Sequence, residues 1–216
     1  MKILTAFVLI ISGFGFAFGQ NERSPIVEKE FGYKDWTLNN LNGDGETNLR
    51  KFSNGKKLVM VVYWAPWCPN WRHDAAFVEE LHARYSKDGL AVIGVGEYDT
   101  VEKMRRHYEQ NKFSFPSVYE SSNASERLTT VHHAQRTAAG DIRKWGSPWY
   151  VFLDPSKLLA DSDELASRVS VINGEMTRPE VEKFIREKLG LAGGSGTASA
   201  KVNGNQACEP AALIKP

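Results

Sequence analysis

The chain has 216 residues, of which 42% are hydrophobic and 25% charged, the balance of an ordinary globular protein. This composition excludes a long disordered chain, a collagen-like repeat and a multi-spanning membrane protein. The 27 Lys and Arg residues nearly cancel the 26 Asp and Glu residues, and the net charge of +1 lacks the basic field that drives nucleic-acid binding.

The N-terminal segment has the pattern of a secretory signal peptide. Lys2 precedes an apolar run over residues 3–18, and Ala17 and Gly19 have the spacing that signal peptidase prefers. The run is short for a membrane-spanning helix, which needs about 20 residues. We therefore expect residues 1–19 to be removed, leaving no membrane span, although an uncleaved anchor is the alternative. The location is then extracytoplasmic, periplasmic or secreted, where disulfides persist.

A polar arm, residues 20–30, is expected to precede a folded domain over residues 31–190. Leu58 to Trp64 is a continuous apolar run rich in β-branched and aromatic residues, which predicts a fully buried central strand. Apolar residues then follow at helical spacing, which predicts a helix over residues 70–86. A second buried run, residues 90–95, completes a strand–helix–strand unit with parallel strands.

The next part of the chain is predicted to contain a helix and a polar segment. Asp99 is the expected cap of the helix, with Glu102 three residues later. Residues 120–144 carry few large apolar side chains, so we predict an insertion or long surface segment. His132 and His133 lie in it and are expected to be solvated.

The C-terminal third is predicted to contain two strands and a last helix. The strands are expected at residues 149–153 and near residues 169–172. Thr177 and Glu180 have the spacing of a capping box for the helix, which Gly190 ends. Residues 191–216 are rich in Gly, Ser and Ala without an apolar period, and they predict a flexible tail.

The candidate reactive residue is Cys68, which lies between Trp67 and Trp71 at the point where the buried strand runs directly into a helix. The free N–H groups and positive dipole end of a helix favour a thiolate over a thiol, and the thiolate is the nucleophile. The alternative is that Cys68 is a small buried hydrophobic residue, as free cysteines often are.

The segment Trp64-Ala65-Pro66-Trp67-Cys68-Pro69 after this strand resembles the active site of the TlpA/ResA-like redoxins, which are related to the AhpC/TSA group. The resemblance extends over about residues 31–189. It implies an α/β thioredoxin-like fold, with a central mixed sheet flanked by helices on both faces. The family's Gly-x-Pro, whose proline is cis and faces the active-site cysteine, falls on Gly146-Ser147-Pro148. The family's helix acid falls on Asp74, which would tune the thiol and relay protons; the alternative is a solvated carboxylate near the helix N-terminus.

Two departures from the family pattern bear on mechanism. The family's second active-site cysteine falls on Trp71, and the buried strand acid of thioredoxin falls on Val62. In a Cys-x-x-Cys pair the second thiolate resolves the mixed disulfide, so Cys68 needs another partner. Cys208, an external thiol or a second molecule are the candidates.

Three functions stay open at this point. The first is a thiol–disulfide oxidoreductase that uses Cys68 on protein thiols or disulfides, and the second is a degenerate thioredoxin fold that binds peptide without turnover. The third is a thiol peroxidase, which would need Thr or Ser where Ala65 stands. A copper carrier using Cys68 with His132 or His133 is less favoured, because such carriers offer two close cysteines. We expect no cofactor, no metal and no nucleic-acid partner.

Overall fold

The computed structural model describes residues 23–160 and 162–191. The predicted signal peptide, residues 1–19, and almost all of the predicted tail lie outside these residues. The described residues form ten strands and five helices. In chain order they are β1 (Arg23–Ser24), β2 (Val27–Lys34), β3 (Thr37–Asn40), β4 (Glu46–Asn48), α1 (Leu49–Ser53), β5 (Leu58–Trp64), α2 (Pro69–Tyr85), β6 (Leu90–Gly96), α3 (Val101–Asn111), β7 (Ser117–Tyr119), α4 (Val131–Ala138), β8 (Trp149–Leu153), β9 (Glu164–Asn173), β10 (Glu175–Met176) and α5 (Arg178–Leu189).

Eight of the strands form one mixed sheet in the order β2-β9-β8-β5-β6-β7-β3-β4. Strand β5 lies inside it, parallel to β6 and antiparallel to β8. All seven residues of β5 are buried, since helices cover the sheet on both sides. The predicted central strand and the parallel strand–helix–strand unit β5–α2–β6 are therefore confirmed. The two remaining strands, β1 and β10, form a separate parallel pair.

The alternation of side chains along β5 divides the core into two clusters. Met60, Val62 and Trp64 pack on one face with residues of α2, α3 and α5. Val61 and Tyr63 point to the other face, where Leu49 of α1 and residues of β8 and β9 join them. The predicted α/β architecture, a thioredoxin-like fold with a central mixed sheet and helices on both faces, is confirmed.

The polar segment over residues 120–144 differs from the expectation of a surface segment. It contains α4, and the structure buries His132, Gln135, Arg136 and Asp141. The expectation that His132 is solvated is wrong: its ring stacks on Tyr63 at 4.4 Å between centroids. Polar side chains made this segment look exposed, but several of them are buried against partners inside the protein, such as the Tyr98 hydroxyl near His132 and the Asp141 carbonyl bound by Arg136.

One predicted helix cap is replaced by the neighbouring residue, and the predicted capping box of α5 does not form. The cap of α3 is Thr100, whose hydroxyl accepts from the backbone N–H of Lys103, and Asp99 stands one residue earlier. Thr177 does cap α5, but among the described residues its hydroxyl makes no capping hydrogen bond. The Glu180 carboxylate instead accepts from the backbone N–H of Ile26 at 3.2 Å. Gly190 ends α5 in the left-handed conformation, as predicted.

In residues 23–160 and 162–191, none of the helices has the length and apolar character needed to cross a membrane.

Candidate active site

Cys68 is the N-cap residue of α2, at the point where β5 has ended and the helix begins. Pro69 occupies the first helical position, where its missing N–H costs nothing. The backbone N–H of Cys68 donates to Ala65 at 3.0 Å, which closes the turn between strand and helix. The sulfur therefore sits at the positive end of a 17-residue helix.

Ser147 and Pro148 lie beside this turn, although about 80 residues separate them from Cys68 in the chain. The Sγ atom of Cys68 is 3.3 Å from the carbonyl oxygen of Ser147. The Ser147 hydroxyl accepts from the backbone N–H of Ala65 at 3.0 Å. The Ser147–Pro148 peptide bond is cis. The structure thus brings together the cysteine and the Gly-x-Pro segment that the sequence singled out.

Cys68 itself is buried and is in a disulfide-bonded form rather than a free thiol. Cys208 lies outside the described residues. Nothing in the described part of the chain tests whether Cys208 resolves a reaction at Cys68, and this role stays a prediction.

The two tryptophans that flank Cys68 have different environments. Trp67 is partly buried, and its indole N–H donates to the carbonyl of Tyr98 at 3.2 Å. Its ring meets Trp145 edge-on, with 5.1 Å between centroids. Trp67 is therefore a partly exposed side chain at the edge of the site, next to Cys68 in the chain.

Trp71, by contrast, is a core residue. It is fully buried, stacks on Trp64 with 5.7 Å between centroids, and packs against Phe113. Its indole N–H donates to Nε2 of His107 at 2.9 Å, so the ring of His107 accepts there and is neutral. Burial, and secondarily the charge of Arg72, lower the pKa of His107 to about 4. The position that a second active-site cysteine would take is filled by a packed and hydrogen-bonded side chain.

Asp74 is fully buried, which contradicts the alternative of a solvated carboxylate. One carboxylate oxygen accepts from the Tyr150 hydroxyl at 2.9 Å and from the backbone N–H of Met176 at 2.8 Å. The other lies 3.2 Å from Nδ1 of His73. The hydrogen bond to Asp74 raises the pKa of His73 from its usual value. Because His73 is partly exposed, the pair joins a buried carboxylate to the surface.

The copper-carrier alternative would use His132, whose surroundings in the structure differ from those of Cys68. His132 is buried, and its Nδ1 lies 2.8 Å from the Tyr98 hydroxyl. Desolvation lowers the pKa of His132 well below its usual value. Within the described ranges, no three His, Cys, Asp or Glu side chains form a group that could hold a metal ion.

Sequence reasoning missed three residues around Cys68. Ser147 appeared only as the middle residue of Gly-x-Pro, yet it makes both contacts to the turn before α2. His107 was not singled out, although its position three residues after Met104 puts it on the buried face of α3. Arg136 carried no sequence signal, because a buried arginine cannot be distinguished from a surface one by periodicity.

Comparison with known proteins agrees with this geometry. The model of the AhpC/TSA family matches residues 32–165, which include β5, Cys68, Pro148 and β8. A thiol-disulfide oxidoreductase ResA of Bacillus cereus is 22% identical over 183 residues, covering 83% of this chain and 91% of the relative. A second ResA, from Bacillus thuringiensis, is 21% identical with the same coverage.

Solved structures share the fold at low identity. A thiol:disulfide interchange protein of the thioredoxin family from Chlorobium tepidum superposes with a TM-score of 0.55 at 14% identity, covering 74% of this chain and 97% of its own. The thioredoxin domain of a thiol-disulfide oxidoreductase from Bacteroides vulgatus gives a TM-score of 0.51 at 17% identity, with 73% and 97% coverage. Together with the family match, these findings show that the chain belongs to the AhpC/TSA family and is a thioredoxin-fold redoxin of the TlpA/ResA-like kind.

Proposed function

We propose that the protein is an extracytoplasmic thiol–disulfide oxidoreductase in which Cys68 is the nucleophile. The observation that carries this proposal is the position of the Cys68 sulfur, at the N-terminus of α2 and 3.3 Å from the carbonyl that precedes Pro148. The activity named for the ResA relatives supports it. The signal-peptide pattern of residues 1–19 supports the location.

The reaction follows the chemistry of thiol–disulfide exchange. The Cys68 thiolate, favoured by the helix end, attacks one sulfur of a protein disulfide. A bond forms between the two sulfurs, the substrate disulfide breaks, and the departing thiolate takes a proton from water. A second thiolate then attacks the Cys68 sulfur and releases the substrate as a dithiol. The substrate gains two electrons, and the new disulfide on Cys68 must be reduced by a dithiol protein for another turnover.

Cys208 is our candidate for the second thiolate. It stands 17 residues beyond Leu191, the last described residue. A Gly- and Ser-rich coil of that length spans about 23 Å on average, taken as 5–6 Å times the square root of the residue number. The radius of gyration of a domain of this size is about 15 Å. The tail is therefore long enough to bring Cys208 to Cys68, and tethering supplies an effective concentration of order mM. An external thiol or a second molecule are the alternatives.

The binding-module alternative has its own support. Cys68 and Trp71 are both buried, and Trp71 fills the place of the family's second cysteine. A protein that holds peptide beside Pro148 without turnover needs neither an accessible sulfur nor a resolving thiol. The peroxidase alternative has less support, because Ala65 has no hydroxyl to bind peroxide and its backbone N–H is already used by Ser147.

The test compares the full chain with its Cys68→Ser and Cys208→Ser variants. Each protein is reduced, freed of reductant and mixed with oxidised glutathione or insulin at neutral pH. We expect Cys208→Ser to accumulate a glutathione adduct on Cys68, and the parent to release glutathione and form a Cys68–Cys208 bond. Cys68→Ser should reduce insulin at least 100-fold more slowly than the parent. Mass spectrometry of peptides under non-reducing conditions identifies the bonds.

Three outcomes contradict parts of the proposal. Insulin reduction by Cys68→Ser at the parent's rate would remove Cys68 as the nucleophile. A Cys68 that forms no adduct in the folded chain, although it does so in denaturant, would favour the binding module. An adduct of equal lifetime in the parent and in Cys208→Ser would remove the resolving role of Cys208 alone.

A further inference from the structure

Arg136 is a buried arginine whose guanidinium binds the loop that leads to the active-site proline. It lies on α4 with only 1% of its surface exposed. Its Nη1 donates to the carbonyls of Asp141 at 3.1 Å and Arg143 at 2.7 Å, and Nη2 donates to the carbonyl of Lys144 at 3.4 Å. One planar group thus holds three backbone carbonyls within four consecutive residues.

The loop and the guanidinium fit closely at Gly146. A Cβ atom at this position would lie 2.3 Å from Cδ of Arg136, and the residue has a φ of +61°. Both facts require glycine here. The next residue in the chain is Ser147, so the fit fixes where the Ser147 peptide begins.

A second arginine holds the far side of the same segment. Arg143 donates to the Asp141 carboxylate at 2.7 Å and, with the same Nη2 atom, to the carbonyl of Pro148 at 2.9 Å. The Ser147–Pro148 segment is therefore bound both before and after the two residues that face Cys68. It has little freedom to move away from the sulfur.

We propose that Arg136 is a positioning residue that holds the carbonyl oxygen of Ser147 against the sulfur of Cys68 and so restrains ionisation of the Cys68 thiol. In this disulfide-bonded form the Ser147 carbonyl oxygen lies 3.3 Å from the Cys68 sulfur. Held in the same place after reduction, it accepts a hydrogen bond from the thiol, and its partial negative charge opposes the thiolate. The carbonyl thereby counteracts the dipole of α2. Arg136 acts through the loop and not by contact with the reacting atoms.

The sign of the effect separates this positioning role from a simple charge effect. A positive charge near a thiol favours the thiolate, so loss of the Arg136 charge alone would raise the thiol pKa. Loss of positioning instead releases the Ser147 carbonyl from the sulfur and lowers the thiol pKa. The test leaves unchanged the other charged and titratable groups on the elements around Cys68, and these include Arg72, His73, Asp74, Glu97, His132, His133, Asp141, Arg143, Lys144, Glu175 and Arg178.

The experiment measures alkylation of Cys68 by iodoacetamide against pH in the full chain. All proteins carry Cys208→Ser and are fully reduced, so Cys68 is the one reacting thiol. A change in the access of iodoacetamide to Cys68 multiplies the alkylation rate by the same factor at every pH. A change in the thiol pKa instead moves the midpoint of the curve of rate against pH. We expect Arg136→Met to move the midpoint about half a pH unit down, an increase of about threefold in the thiolate fraction at the acid end.

Arg136→Lys and Arg106→Met are the matched comparisons. Lysine keeps the charge but lacks the planar fork that spans several carbonyls, so its midpoint should move in the same direction as that of Arg136→Met. Arg106 lies on exposed α3 surface and pairs with Glu102, so its variant should keep the parent's midpoint. Thermal unfolding of each variant shows that it is folded at the assay temperature.

Three results would overturn the proposal: an unchanged midpoint in a folded Arg136→Met, an upward shift, or full restoration by lysine. If Arg136→Met does not fold, Gly146→Ala carries the same test, because the added methyl displaces the guanidinium, and an unmoved midpoint there is equally adverse. The proposal rests on Cys68 being the reacting group of the proposed function, but alkylation needs no exchange. A shifted midpoint in a chain that never forms mixed disulfides would refute the function and leave the positioning intact.

Discussion

The start of α2 and the segment over residues 120–146 both contain buried side chains, but these are buried by different means. Around Cys68 the burial comes from apolar periodicity: β5 is apolar throughout, and Trp71, Val78 and Leu81 follow at helical spacing. In the second segment it comes from polar side chains with individual partners. Arg136 binds three carbonyls, and the Asp141 carboxylate binds Arg143.

The difference shows what each region contributes to the site. The strand–helix junction carries the sulfur and the helix dipole, which follow from local sequence. The polar segment supplies the groups that hold the Ser147–Pro148 segment: Arg136 binds the loop before it, and Arg143 binds the carbonyl of Pro148. Substitutions at the junction should therefore act through packing, whereas those in the segment should act through charge and hydrogen bonds.

The largest expected effect is at the junction. Trp71→Cys would restore a Cys-x-x-Cys pair, but it removes a fully buried indole and leaves Nε2 of His107 without its donor. We expect the free energy of unfolding to fall by about 3–5 kcal/mol. Urea unfolding measures it, with Trp71→Phe as the control that keeps an aromatic ring and should lose less. A Trp71→Cys variant as stable as the parent would show that this packing is not what the junction depends on.

The next effect concerns His107 at low pH. Its pKa in the folded chain is about 4, below the unfolded value of 6.5. The depressed pKa contributes stability that is present above pH 6.5 and is lost as the pH falls toward 4. His107→Gln keeps an acceptor for Trp71 but does not titrate in this range. Between pH 7 and pH 4 the parent should lose about 2 kcal/mol more than the variant, after allowance for partial exposure of the ring. If the free energies of unfolding of the parent and of His107→Gln fell in parallel between pH 7 and pH 4, the prediction would be contradicted.

Glu97 should behave in the opposite sense and tests the polar segment. It is fully buried, accepts from the Ser121 hydroxyl, and has its second oxygen 3.7 Å from Nδ1 of His132. Burial, and secondarily Glu120, raise the pKa of Glu97 well above its usual value. Its stability contribution is therefore present at low pH and lost as the pH rises through the folded pKa. Glutamine does not titrate, so Glu97→Gln should gain stability relative to the parent as the pH rises from 5 to 8. A difference in melting temperature between Glu97→Gln and the parent that stays constant from pH 5 to pH 8 would contradict the raised pKa of Glu97.

The smallest effect is at the start of α4. The Thr130 hydroxyl caps this helix by accepting from the backbone N–H of His133 at 3.0 Å. Thr130→Ala should cost about 1 kcal/mol of unfolding free energy. Thr100→Ala at the start of α3 is the matched control, since Thr100 makes the same type of cap with a longer hydrogen bond of 3.3 Å. If Thr130→Ala costs nothing, the start of α4 is held by the Glu120 carboxylate, which accepts from the backbone N–H groups of Val131 and His132, rather than by its cap.

Much of the framework could be predicted from sequence because its signals are local. Apolar runs predicted β5, β6 and β8, and the change of period after Cys68 predicted α2. Capping was less predictable: Thr100 replaced Asp99, and Glu180 bound Ile26 of a distant segment instead of closing a capping box. The two errors have related causes. At α3 the adjacent residues Asp99 and Thr100 compete for one cap position, and at α5 a tertiary contact takes the Glu180 carboxylate.

The sequence by itself determined that a cysteine stands where a buried strand meets a helix, because strand and helix periods and the position of Cys68 are local properties. Tertiary structure alone decided that Ser147 touches the sulfur, that Asp74 is buried against Tyr150, and that Trp71 belongs to the core. It also decided the burial of Arg136. The physical reason is that a polar side chain can be buried wherever partners satisfy its hydrogen bonds, and those partners come from parts of the chain that no local pattern connects.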